Sequence, residues 1–179
     1  MCTICELKIE FNVEHPASLS VAVATRREIE SGALQGSSGK ADPLGGMRLR
    51  LEAIAALKSV QERVEQVLTK EELLALPDFF TLMIESRTWG FFRPTVEGFD
   101  TNCRPDPPRV TAEDHSERDP VVLVSETAMR QFLAGKLTFE QAVQRGLIVI
   151  DADEPRSEAL QSAWHLAFSK IKLSRFVCI

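Results

Sequence analysis

The chain has 179 residues, of which 44% are hydrophobic and 26% charged, and a formal net charge of −5. That length and balance fit a globular chain with a well-filled core, and one domain over residues 1–179 is the expectation. An acidic chain without a dense Lys/Arg run excludes a phosphate-tracking nucleic-acid surface, and no apolar run approaches the roughly 20 residues of a membrane-spanning helix.

The opening MCTICELKIEF reaches an acidic residue at Glu6 and lacks the basic leader and apolar core of a signal peptide, so the cytoplasm is the expected compartment. In a reducing compartment, Cys2, Cys5, Cys103 and Cys178 are expected as thiols or metal ligands rather than disulfides. Leu7, Ile9, Phe11 and Val13 alternate with polar neighbours, the period of a strand with one wet face. Residues 17–31 read as a helix stopped by Gly32, although SLSVAVA within it fits a second strand equally well. The Gly/Ser-rich stretch 34–46 reads as a loop.

Over 47–68 the apolar residues Ile54, Leu57, Val60, Val64 and Val67 recur at three- and four-residue steps, a helix with one buried stripe. Thr69 and Glu72 stand at capping-box spacing and start a short helix to about Leu76. Pro77 breaks it, and PDFFTLMIES is read as a further, largely buried helix. Residues 89–119 show no periodicity beyond a short extended piece near Phe91 or Val110, so a long, ordered polar loop is expected.

The C-terminal third is regular. A strand over 121–124 precedes a helix capped by Ser125 and stopped by Gly135, and Thr138 with Gln141 caps a second helix that Gly146 stops. A strand over 147–150 then leads to a last helix with Asp153 at its cap and Pro155 in its first turn. The fold class is α/β (α+β): a small, mainly antiparallel sheet covered by five or six helices, with a long ordered loop.

The words FLAGKLTFEQAVQRGLIVIDAD resemble the closing half of the sterol carrier protein 2 family. The matching residues are Phe132, Leu133, Gly135, Lys136, Leu137, Ala142, Gly146, Ile148, Ile150 and Asp153, within residues 120–168. The family's Gly-Asp after the strand is Ala152-Asp153 here, and its three preceding antiparallel strands meet the irregular stretch 89–119. The resemblance implies helices over a twisted sheet and a cavity for an apolar small molecule, an acyl chain or a sterol. Phe132, Leu133, Leu137, Phe139 and Val143 would line it, joined by Phe79 and Phe80. Each of these side chains also fits an ordinary core position.

The Cys2-Thr3-Ile4-Cys5 spacing lets two thiolates meet one tetrahedral ion, zinc or iron, but a closed site needs further ligands. Cys103 and His115 complete a set if the long loop folds back, and His15 is another candidate. No nucleophile elbow, P-loop or dinucleotide fingerprint is present, so a non-catalytic role is expected. Two functions follow: a binding or carrier protein for an apolar small molecule, or an accessory subunit docking on a larger enzyme. The second would present Trp89, Phe91 and Phe92 to the partner, with the metal held by Cys2 and Cys5.

Overall fold

The computed structural model describes residues 14–36 and 45–169. The strand expected over 7–13, Cys2, Cys5 and Cys178 lie outside the described residues. Helices α1 (Ser18–Glu30), α2 (Gly45–Val67) and α3 (Lys70–Leu74) precede a hairpin of β1 (Phe79–Met83) and β2 (Thr88–Phe92). A short ribbon, β3 (Pro94–Thr95) with β4 (Gly98–Phe99), follows. The chain then runs β5 (Val121–Val124), α4 (Glu126–Leu133), α5 (Phe139–Gln144), β6 (Ile148–Asp151) and α6 (Glu154–Phe168).

The main sheet has four strands in the order β2-β1-β5-β6. Its outer pairs are antiparallel and its central pair, β1 with β5, is parallel. Strand alternation sorts the side chains into two cores. Phe79, Met83, Phe92, Val122, Val124 and Ile148 share one core with residues from α2, α4, α5 and α6. Phe80, Leu82, Trp89, Val121 and Leu123 share the other with Val21 of α1 and Val110 of the loop. Four helices thus cover one face, and α1 with the loop covers the opposite one.

The helix boundaries follow the local chemistry. Thr69 and Thr138 both form complete capping boxes, with Glu72 and Gln141 returning to the cap N–H groups. The hydroxyl of Ser125 accepts the Ala128 N–H and also a bond from the Thr25 hydroxyl at 3.0 Å, which ties α1 to the start of α4. Asp153 precedes α6 but caps no backbone N–H; its carboxylate accepts from Arg156 instead.

Three expectations do not hold. PDFFTLMIES is not a helix: its apolar residues form β1, all five of them buried, and a run apolar on every side fits a fully buried strand as well as a helix. The stretch 89–119 is not loop throughout, because its first part forms β2 and the β3–β4 ribbon. Trp89 at 0% and Phe92 at 2% exposure are core residues, which removes the exposed aromatic anchor expected of a docking loop; Phe91 is half-buried. Phe79 and Phe92, register partners across β1 and β2, stack with ring centroids 4.7 Å apart.

The β1–β2 turn contains no glycine, and Arg87 takes the left-handed conformation there, with φ 55. It is held by α4. The Glu126 carboxylate accepts the Glu85 N–H at 2.9 Å and the Ser86 N–H at 2.7 Å. The Glu85 carboxylate accepts the Glu126 N–H in return. Glu126 is 3% exposed, so these bonds replace water for a charge-bearing group. Glu126→Gln keeps the shape but leaves only one acceptor oxygen for two N–H groups. We expect it to lower unfolding free energy by about 1–3 kcal/mol, the cost of a buried unsatisfied donor, measured by urea denaturation.

Candidate ligand-binding groove

The α1 helix carries more apolar residues than one buried stripe needs. Val21 faces the sheet at 0% exposure, whereas Leu19 is 73% exposed. Between the start of α1 and the end of β1 the surface opens into a groove of about 560 Å³. Pro16, Leu19 and Ala22 form its helical wall, and Leu82 and Ile84 its sheet side. Glu14, His15, Glu85 and Arg87 supply the polar positions. The volume lies within the range of about 300–1,000 Å³ usual for small-molecule clefts, and apolar walls with few polar groups are their common form.

The polar groups differ in state. Arg87 pairs with Glu14 at 3.3 Å, both side chains well exposed. The Glu85 carboxylate is tucked against the start of α4 although the residue as a whole is exposed. Desolvation there pushes its pKa up, while hydrogen bonds from its own N–H and that of Thr127, with the Arg130 charge, work the other way.

His15 is 4% exposed. Its Nδ1 accepts the Ala17 N–H at 3.1 Å, so the neutral ring carries its proton on Nε2. Nε2 lies 3.0 Å from Asp151 Oδ2, but the two atoms are poorly aligned for a hydrogen bond. Burial pulls the His15 pKa down; the Asp151 carboxylate opposes this, and the Arg118 charge adds to it. Asp151 also has His115 Nδ1 at 3.9 Å.

This geometry bears on the expected metal ligands. A neutral His15 with Nδ1 occupied by an N–H has no lone pair at Nε2 to offer an ion. Cys103 is a free, half-buried thiol, and His115 is exposed on a single 3-10 turn. Among the described residues, no group of three or more His, Cys, Asp or Glu side chains is placed to hold a metal ion.

The residues expected to line an apolar cavity divide. Phe79, Phe132, Leu137 and Phe139 belong to one core, with Leu133 packed against it. The Phe132 ring lies 4.1 Å from Phe168 and 6.0 Å from Trp164, centroid to centroid. Phe80 points to the opposite face of the sheet, so it shares no wall with Phe79. Val143 is 39% exposed. With Phe139 and Leu166 it borders a shallower groove of about 600 Å³ between α5 and α6, where His165 Nδ1 meets the Glu140 carboxylate.

Sequence reasoning missed Leu19, Ala22, Leu82, Ile84, Glu85 and Arg87. One signal was present: SLSVAVA is apolar on more sides than a helix on a single sheet face can bury.

No family model matches the chain, and no curated protein matches it. Among solved structures it is similar to the solution structure of the sterol carrier protein domain 2 of Helicoverpa armigera. The identity is 18% and the TM-score 0.42, over 76% of this chain and 98% of that chain. That neighbour belongs to the family that residues 120–168 resemble. No helix among the described residues is long and apolar enough to cross a membrane.

The buried His15 gives a signed pH dependence. Its pKa is lowered in the folded chain, so its contribution to stability is complete above the unfolded value of about 6.5. That contribution is lost as pH falls from there through the folded value, because the unfolded chain takes the proton first. We expect the midpoint of thermal unfolding to fall between pH 7.5 and 5.5. In His15→Asn, whose side-chain oxygen keeps an acceptor for the Ala17 N–H, the fall should be smaller, as followed by circular dichroism.

Proposed function

We propose that this chain is a non-catalytic binding or carrier protein for an apolar small molecule, an acyl chain or a sterol-like ring system. The observation that carries the reading is the groove of about 560 Å³ walled by Pro16, Leu19, Ala22, Leu82 and Ile84. The resemblance of residues 120–168 to the sterol carrier protein 2 family points the same way.

A ligand here would bind by burial. Covering about 200 Å² of apolar ligand surface is worth about 5 kcal/mol at roughly 25 cal/mol per Å². By itself about 5 kcal/mol corresponds to a Kd of about 0.2 mM, and immobilising the ligand offsets part of that gain, so a medium chain should bind in the millimolar range. The groove holds no nucleophile beside a base: the Ser18 N–H donates to the His15 carbonyl at 2.9 Å, but among the described residues no hydrogen bond joins the Ser18 hydroxyl to the His15 ring, whose Nδ1 is taken by the Ala17 N–H.

The direct test is calorimetric titration with 1-octanol, a neutral probe. Binding to the wild type should show a negative heat-capacity change, the mark of apolar burial. Ala22→Phe, on the exposed side of α1, puts a ring into the groove and should weaken binding about tenfold or more, which is about 1.4 kcal/mol. Unchanged affinity in that variant contradicts the reading; loss on Val143→Trp alone would move the ligand to the α5–α6 groove.

A further inference from the structure

We propose that the groove between α1 and the β1–β2 turn selects an amphiphile with an ammonium head, a primary alkylamine, over one with a carboxylate head. The reason is that, of its charged lining residues, Glu14 and Arg87 pair with each other and leave the Glu85 carboxylate without an ion-pair partner among the described residues. This inference rests on the reading of the same groove as the ligand site.

The charges can be counted over the residues that line the groove, with Asp151 and Arg118 lying behind His15. From the start of α1 come Glu14 and His15; from the β1–β2 turn, Glu85 and Arg87. Glu14 and Arg87 lie 3.3 Å apart and cancel. His15 is neutral at pH 7, because burial works against its protonation. From α4, Glu126 has both carboxylate oxygens on N–H groups of the turn. Arg130 donates to Thr127 at 3.2 Å and faces Glu52 at 3.8 Å, and its charge reaches Glu85 only from beyond ion-pair distance. Among the described residues no cation stands within ion-pair distance of Glu85, and the groove carries one net negative charge.

A carboxylate head entering beside Leu82 and Ile84 would meet Glu85 and Glu14, with the nearest guanidinium already engaged. An ammonium brings three donors and the opposite charge to a carboxylate that has already lost part of its water. Its attraction is stronger there than between solvated partners. An alcohol head, neutral and able to donate once, should fall between the two. The apolar walls hold the chain, and the turn reads the head.

The test uses octylamine, 1-octanol and octanoate, one chain length with three heads, titrated into the full-length protein at pH 7 and low salt. The wild type should bind octylamine about tenfold or more tightly than octanoate, a difference of about 1.4 kcal/mol. Ala22→Phe should weaken all three, which separates the groove from general attraction of amines to an acidic protein. Glu85→Gln keeps an acceptor oxygen for the Glu126 N–H and should collapse the amine preference. Arg87→Asn tolerates the left-handed backbone and frees Glu14, so it should widen the preference. It also keeps the test open if Glu85→Gln unfolds.

Octanoate binding as tightly as octylamine, or a preference unmoved by Arg87→Asn and by a folded Glu85→Gln, overturns the ammonium assignment and leaves the groove reading standing. Absence of binding by all three heads overturns both.

Discussion

Glu126 is a carboxylate held at 3% exposure because both its oxygens are committed, one to the Glu85 N–H and one to the Ser86 N–H. Glu85 answers by accepting the Glu126 N–H, so the turn caps the helix while the helix caps the turn. Four elements depend on this exchange. It fixes where β1 ends and β2 begins, and it sets the first turn of α4. Through the cap hydroxyl of Ser125, bonded to Thr25, it also fixes how α1 lies on the sheet. The groove is the space between α1 and that turn, so its width is set by the same bonds.

The two faces of the sheet divide the work. One is closed by α2, α4, α5 and α6 over a continuous aromatic core that includes Phe79, Phe92, Phe132 and Trp164. The tightness of that side shows at Gly90, where a Cβ would come within 3.1 Å of the Leu57 methyl carbons. The other face is covered more thinly, by α1 and the loop that brings in Val110. A groove is accommodated where the covering layer is thin, because there it does not have to displace a packed core. The aromatic side chains of 132–139, which the family resemblance would make cavity walls, instead pack on Trp164 and Phe168.

What was legible in the sequence was the chemistry that acts within four residues. Thr69 with Glu72, Ser125, and Thr138 with Gln141 cap the helices expected of them, and Gly135 and Gly146 take φ +69 where each helix stops. The β1–β2 hairpin was not legible. Its turn lacks the Asn-Gly or Asp-Gly that marks tight hairpins, and Arg87 occupies the left-handed position instead. Its strands lack polar alternation because both faces are buried. The groove was hidden for a related reason. Glu85 and Glu126 are 41 residues apart, and nothing in either one's neighbours announces the pairing.

The central claim is that an apolar chain binds between α1 and the β1–β2 turn. Methyl-resolved NMR of Ile, Leu and Val labelled protein, titrated with 1-octanol, tests it directly. The account predicts shifts centred on the methyls of Leu19, Leu82 and Ile84, with Val143 and Leu166 unmoved. Shifts centred on Val143 and Leu166, or none at any methyl, would contradict it.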